Sequence, residues 1–354
     1  MHEPDGSGAI LVRGAGPVGC TAALALSACG FRVALEGGRT APAGFRPLAL
    51  SYASRLILER VGAWEELRPT PIETVLVSQK GGFGRTRLES VDAGVPALGY
   101  VVDYAAVAAV LHGAIERAGI AGAFAQAPAC VVHAEGSDAS MPEKRYAQDA
   151  VVACVDVAPA SGTIAHERFT PEGPLALLPY GGKYALVWSM SPERAAYFAS
   201  CPEDAFLAGL AATGGRAIGH PRAVSSRSVQ PLALRVRESR VADRQVYIGN
   251  AAQALHPVAG QGLNLGLRDA WDLAQILRGA RDPGDARLLR RFAFERSLDA
   301  SSLVRVTDFL AGAFVGSSRA ARAARGIGLA LMDVLPGPRR FFARRMVFGA
   351  SALP

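Results

Sequence analysis

Cysteine is scarce in this 354-residue chain, and the five present (Cys20, Cys29, Cys130, Cys154, Cys201) are odd in number and nowhere closely paired. That excludes a disulfide framework and a thiolate zinc site. None of the six histidines has the H-E-x-x-H spacing of a helical metal site, so no metal is expected. No uninterrupted apolar run is long enough to span a bilayer, and the opening MHEPDGSG lacks the charged-then-apolar order of a secretion signal. A cytoplasmic location is therefore expected. Internal repeats and low-complexity linkers are missing too, so two domains, if present, are expected to be interleaved. The net charge of +7 comes without a recognised nucleic-acid module, which argues against a nucleic-acid partner.

What is present suits a packed globular chain: half the residues are apolar and 19% are charged. A strand at Ala9–Val12, a helix over Pro17–Ala28 and a second strand at Phe31–Leu35 form the βαβ order of a parallel sheet, with Cys20 and Cys29 as small core residues. Leu56 to Leu67 has a helical pattern broken by Gly62, and a further helix is expected over Tyr104–Arg117. Two hairpins lie outside the βαβ rhythm, at Val75–Ser78 with Arg85–Leu88 and at Leu175–Leu178 with Tyr184–Trp188. The chain is expected to be helical from Asn264 almost to its end. The fold class is accordingly α/β: a Rossmann-like nucleotide-binding domain (1–74, 99–157 and 243–300), an interleaved mixed β-sheet substrate domain (75–98 and 158–242) and a helical C-terminus (301–354).

Gly14-Ala15-Gly16-Pro17-Val18-Gly19 fits G-x-G-x-x-G between a strand and a helix. Gly14 permits the tight turn, Gly16 lets the backbone approach a pyrophosphate, and Gly19 lets helix and strand pack closely, with Pro17 at the helix start. The phosphate charge then meets the free N–H groups of the helix N-terminus. Glu36 closes the second strand about twenty residues on, where its carboxylate can bind ribose hydroxyls. This fingerprint alone does not separate FAD from NAD. A second glycine-rich segment runs from Gly249-Asn250 through His256, Pro257 and Gly260-Gln261-Gly262-Leu263-Asn264 into a helix. Such a loop offers N–H groups to an electron-rich carbonyl edge.

That second segment resembles the flavoprotein hydroxylases of ubiquinone biosynthesis, within the para-hydroxybenzoate hydroxylase-like group. Three further stretches carry the resemblance: Arg46-Pro47-Leu48-Ala49-Leu50-Ser51, the run from Glu167 to Pro179 continuing to Trp188, and Gly326 to Asp333 followed by Pro336. The last is similar to the C-terminus of 2-polyprenyl-6-methoxyphenol hydroxylases. The resemblance implies FAD as cofactor, with Gly249 and Asn250 on the ribityl chain and Pro257, Gly260, Gln261, Gly262, Leu263 and Asn264 against the isoalloxazine ring. Arg46 is implied as a flavin contact. Also implied are a transient NAD(P)H reductant, molecular oxygen, a prenylated phenol substrate and a flavin C4a-hydroperoxide as the hydroxylating species. The flavin would carry the chemistry, so no catalytic side chain is singled out, and His256 is weighed chiefly as an anchor of its loop.

Two stretches depart from the family pattern. Glu135, in Ala134-Glu135-Gly136, stands where the family has aspartate, and Ala118–His133 is too short for the several strands expected there. They motivate one alternative to the leading reading, a flavin-binding scaffold of a quinone-biosynthesis complex that has lost turnover; a second, separate alternative is a hydroxylase of a soluble aromatic compound. The C-terminal arginines (319, 322, 325, 339, 340, 344, 345) alternate with Ile327, Leu329, Leu331, Phe341, Phe342, Met346 and Phe348. That pattern suits either peripheral association with a membrane or a helix packed on its own domain.

Overall fold

Three sheets carry the fold in a computed structural model that describes residues 8–38, 44–138, 140–254, 261–297 and 319–349. The first is the expected nucleotide-binding sheet. Parallel strands β15 (Gln245–Tyr247), β8 (Cys130–His133), β1 (Ala9–Arg13) and β2 (Arg32–Glu36) lie side by side, with β14 (Val241–Ala242) antiparallel at the edge. Ile10, Leu11 and Val12 are all buried, as a strand covered on both faces requires. Helix α1 (Pro17–Ala28) packs between α4 (Tyr104–Arg117) and α7 (Gln261–Leu277), which explains why its small residues Cys20 to Ala23 are buried on every side. A three-stranded antiparallel sheet, β3 (Pro47–Ser51), β7 (Gly99–Asp103) and β4 (Thr70–Ile72), adjoins it. The next helix, α2 (Tyr52–Arg60), starts earlier than expected because the Ser51 hydroxyl caps it, accepting from Ser54 N–H at 3.2 Å.

The third sheet has eight strands in the order β16 (Gln253–Ala254), β13 (His220–Val236), β9 (Glu143–Ala158), β12 (Lys183–Met190), β11 (Pro174–Tyr180), β10 (Ile164–Phe169), β5 (Thr74–Gln79) and β6 (Arg85–Glu89). Only β10 and β5 run parallel; the other pairs are antiparallel. Both expected hairpins are found, and the Tyr180–Lys183 turn carries positive φ at Gly181 (55°) and Gly182 (83°), as a two-residue type I′ connection demands. Residues 143–157 correct the expected division of the chain. They form β9, paired with β12 and β13 in the large sheet, rather than part of the nucleotide-binding sheet. Both partners are remote in sequence, so local pattern gave no sign of this. The 118–129 connection meets β2 where Leu35 N–H donates to Ala121 O at 2.8 Å and where the Arg32 guanidinium lies over the Phe124 ring, 5.8 Å from its centroid.

The two faces of the large sheet differ, and that difference places the site. One face is covered by α5 (Pro192–Ser200) and α6 (Glu203–Gly214), where Trp188, Phe198 and Phe206 form an aromatic cluster with Trp188–Phe198 centroids 4.5 Å apart. The opposite face lines a cavity. Helices α8 (residues 286–297), α9 (Arg319–Val334) and α10 (Pro336–Phe348) follow, after the four-residue α3 (Ser90–Ala93) at the end of β6. Helix α9 shields the edge strand β6: Thr86 Oγ1 donates to Leu329 O at 2.6 Å, and Asp333 Oδ1 accepts from Arg87 N–H at 2.9 Å. Gly326 makes the approach possible, since a Cβ there would lie 2.6 Å from Phe83 O.

A buried charge cluster ties this frame together. Asp269 of α7, fully buried, accepts from Arg296 Nε of α8 at 2.7 Å, from Arg240 Nη1 at 3.3 Å and from Gly249 N–H at 3.0 Å. Arg296 also reaches Asp272 at 2.8 Å. Removing one partner leaves a buried charge short of compensation, so Arg296→Ala should cost about 3–5 kcal/mol. Urea denaturation followed by circular dichroism checks this; a midpoint equal to wild type would show that the cluster is not a brace.

Candidate functional site

The turn after β1 brings the backbone close to the helix N-terminus and leaves its donors uncapped. Gly14 has φ of 102°, and its N–H donates to Glu36 O at 2.7 Å. A Cβ on Gly14 would come within 2.4 Å of the Ala134 backbone, and one on Gly19 within 1.8 Å of Gly14 O. Gly16 is different: a Cβ there would meet only Tyr104 Oη, at 3.6 Å, on the side that opens to the cavity. It is the N-cap of α1, Pro17 occupies the first turn, and neither a capping side chain nor an acidic residue competes for the turn's N–H groups. These donors and the helix dipole suit an anion. Glu36 and Arg13 sit at the ends of adjacent strands, 3.5 Å apart and both roughly half exposed, with Arg13 Nε facing Glu36 Oε2. Arg13 therefore belongs to the rim of the cradle, its side chain outside the strand core.

Ala134-Glu135-Gly136 continues from β8 directly beside Gly14. Glu135 Oε1 accepts from His133 Nδ1 at 3.0 Å, while His133 Nε2 faces Gln245 Oε1 at 2.9 Å. The imidazole also stacks on Tyr247, with centroids 4.6 Å apart. The hydrogen bond to Glu135 is the largest influence on His133 and outweighs burial, so its pKa is raised. Burial pushes Glu135 upward, but the hydrogen bond from His133 and backbone donation hold its carboxyl below the usual range. Glu135 thus reaches back to a histidine partner on β8.

The second glycine-rich segment divides into contact and support. Asn250 lines the cavity, whereas Gly249 (φ 57°) lies behind it, with a Cβ there 3.0 Å from Val18 of α1. Gly262, Leu263 and Asn264 form the first turn of α7 at the cavity wall. The Asn264 amide is engaged by protein: Oδ1 accepts from Ser51 N–H at 2.8 Å and Ser54 Oγ at 2.7 Å, and Nδ2 donates to Ala49 O at 2.8 Å. It locks α7 to β3 and α2 and so aims the helix N-terminus into the cavity. Gln261 opens α7; Pro257, Gly260 and His256 lie outside the described residues. Arg46 lies at the cavity with its guanidinium carbon 5.0 Å from the Tyr104 ring centroid.

One cavity of about 1690 Å³ collects Gly14, Gly16, Pro17, Glu36, Arg46, Asn250, Gly262, Leu263 and Asn264. Gly19 and Gly249 shape its walls from behind. From the cradle it extends along the free face of the large sheet to α9 and α10, past Val75, Val187, Met332 and Met346. Sequence reasoning missed several lining residues. Tyr104 and His112 face the cradle from α4, His112 donating through Nε2 to Ala15 O at 2.8 Å. Their i, i+4, i+8 stripe with Ala108 was the available signal. Glu167 on β10 also lines the cavity, and burial pushes its carboxyl up to about 7. Among the described residues no cluster of side chains suits a metal ion.

Residues 130–307, half of the chain, match the family model described as "FAD binding domain". Ubiquinone hydroxylase UbiL of Rhodospirillum rubrum is 28% identical over 95% of this chain and 88% of its own length. The 3-demethoxyubiquinol 3-hydroxylase of Escherichia coli is 25% identical over 90% of this chain and 93% of its own. The crystal structure of p-nitrophenol 4-monooxygenase PnpA from Pseudomonas putida DLL-E4 has a TM-score of 0.76 over 97% of this chain and 98% of that one; at 17% identity this shows the fold alone.

The pair His133–Glu135 gives a pH signature. Because the folded histidine titrates above its ordinary 6.5, the stabilisation it contributes is complete below that value and is lost as pH rises through the folded pKa. Histidine NMR should place His133 above 6.5, and Glu135→Gln should lower its midpoint. An unmoved midpoint would mean that the pair does not couple.

Proposed function

The chain belongs to the FAD binding domain family, as an FAD-dependent monooxygenase, and from that premise we propose that it hydroxylates a polyprenylated phenol in ubiquinone biosynthesis with molecular oxygen and transient NAD(P)H. The observation that carries this reading is the continuity of the cavity. A nucleotide cradle at one end is continuous with the sheet face of Val75, Val77, Val152, Ala176 and Val187. At about 1690 Å³ it exceeds the roughly 300–1,000 Å³ of ordinary small-molecule sites, which suits a dinucleotide together with a ring bearing a hydrocarbon tail.

When bound, FAD supplies the redox and oxygen chemistry. The chain's own residues bind and orient. The α1 N-terminus and Gly16 would hold the pyrophosphate, with Glu36 placed for ribose hydroxyls. Asn250 and the first turn of α7 would offer donors to the ribityl chain and the carbonyl edge of the ring. The apolar walls, closed by Leu329, Met332, Phe342 and Met346 from α9 and α10, would exclude water from the reacting centre.

The test is phenol-stimulated NAD(P)H oxidation by the purified, flavin-loaded protein. Stimulation by prenylated phenols in preference to unprenylated ones is expected. Stimulation by unprenylated phenols alone would favour a soluble aromatic substrate, and none at all would overturn the reading.

Peripheral membrane contact is part of the same proposal. Of the apolar residues in the basic tail, Leu329 is buried, Phe342 and Met346 line the cavity, and Phe348 packs edge-on against Tyr52. Ile327, Leu331, Val334, Leu335 and Phe341 remain exposed, the first four on one face of α9 and its C-terminal end, beside exposed Arg340 and Arg344. No helix among the described residues is long and apolar enough to cross a membrane. Sedimentation with anionic vesicles should be lost in the Leu331→Ser/Val334→Ser double variant and unchanged in flavin content; equal sedimentation would remove α9 from the proposal.

A further inference from the structure

A lone carboxylate stands on the apolar half of the cavity. Glu167 is in the middle of β10, paired with Val77 of β5 on one side and Ala176 of β11 on the other. Ala165 and Phe169, its neighbours on the same strand face, line the cavity with it. His166 and Arg168 alternate to the opposite face. There Arg168 Nε donates to Thr213 O at 2.9 Å and Nη1 to Ser78 Oγ at 3.1 Å, and His166 meets the Tyr184 ring edge-on.

Buried carboxylates among the described residues have partners: Asp269 has its two arginines and Asp92 has Arg339 at 3.0 Å. Among the described residues Glu167 has neither hydrogen-bond nor ion-pair partner, and burial alone acts on it. The elements packed around it supply no counter-charge. On β5 there is no titratable residue, and β11 offers only Tyr180 at its far end, itself pushed toward the neutral form by burial. Lys183 on β12 is at the hairpin turn. Across the cavity stand Arg46, Tyr104, His112 and, on α9, Arg325, whose Nε is 3.5 Å from Gln79 Oε1. A bare carboxylate on an apolar wall is costly, and packing alone would be met better by valine or leucine. Such a group in a cleft marks chemistry with a ligand.

We propose that Glu167 is a catalytic base that takes the proton of the substrate's ring hydroxyl. This rests on the phenol reading given above. The phenol O–H bond breaks, a carboxylate oxygen of Glu167 gains the proton, and the electron pair stays on the ring oxygen. The phenolate so formed is richer in electrons at its ring carbons, which is what hydroxylation by an electrophilic oxygen requires. Charge is conserved within the site: one negative charge lies on Glu167 before the transfer and on the ring oxygen after it. Glu167 is reset when the carboxylic acid releases its proton to water as product leaves. A carboxyl near pH 7 matches this cycle, since a base works best with a pKa near the operating pH.

The test uses the flavin-loaded full chain, Glu167→Gln and Glu167→Asp variants, and a 4-nitrophenol bearing an alkyl chain, whose phenolate absorbs distinctly from its neutral form. Between about pH 7, above which Glu167 is ionised, and the probe's own pKa, the wild type should bind it with a phenolate band. Glu167→Gln should bind it with similar affinity and equal flavin content but as the neutral phenol. With a prenylated phenol its kcat at pH 7 should fall roughly 10²–10⁴-fold, with partial recovery in Glu167→Asp. The wild-type kcat profile should rise with pH through about 7, and the Gln variant should lose that limb. A phenolate spectrum and rising limb retained in Glu167→Gln would overturn the proposal while leaving the phenol reading intact. A wild-type profile flat through neutrality would also overturn it, whether or not the Gln variant folds. Failure of the wild type to bind or turn over any phenol would overturn both.

Discussion

The buried carboxylate of Asp269 is the constraint on which the site depends. It binds the Gly249 N–H, and with Arg240 and Arg296 it fastens the loop after β15 to both α7 and α8. Three charged groups so deep in a protein are tolerated only when mutually satisfied, so their positions are fixed within narrow limits. Five residues before Asp269, Asn264 fastens the same helix to β3 and α2 through its whole amide. Two polar clamps on one helix therefore hold its N-terminal turn against the cavity. The apolar core supplies most of the adhesion, but these clamps set the angle.

A second constraint is the unequal covering of the large sheet. Helices α5 and α6 bury one face with the Trp188–Phe198–Phe206 cluster. No helix among the described residues packs over the whole of the other face, and α9 and α10 close only its far end. Such a sheet keeps apolar side chains in a cavity where water is poorly accommodated. A carboxylate placed there, as Glu167 is, has its charged form penalised by burial. The apolar wall of the cavity and the raised pKa of Glu167 follow from this asymmetry.

Much of the cradle was legible in the sequence because its determinants are local. Gly14, Gly16, Gly19 and Pro17 span six residues, and at Gly14 and Gly19 the turn is dictated by what a Cβ would strike. Helices α1 and α4 fall at their expected bounds, and both hairpins were signalled by glycine and alternation. Asn264, expected against the flavin ring, lines the cavity, and its hydrogen bonds to Ser51 and Ser54, more than 200 positions away, make it a clamp. Likewise Arg13, odd as a strand residue, finds Glu36 only when β1 and β2 lie side by side.

The sequence by itself determined the glycine turn after β1 and the class of fold, since short glycine spacings and strand–helix alternation act within a few residues, while the likeness to a flavoprotein family lay in longer stretches such as 249–264. Only the tertiary structure decided that 143–157 belong to the large sheet, that α9 seals the edge of β6, and that Asp269 is a hub. It alone put Glu167 on the cavity side of β10 and its neighbours His166 and Arg168 on the other. The physical reason is common to all four. Burial, pairing and the pKa of a side chain are set by residues brought near by folding, and a chain read in order contains no measure of that nearness.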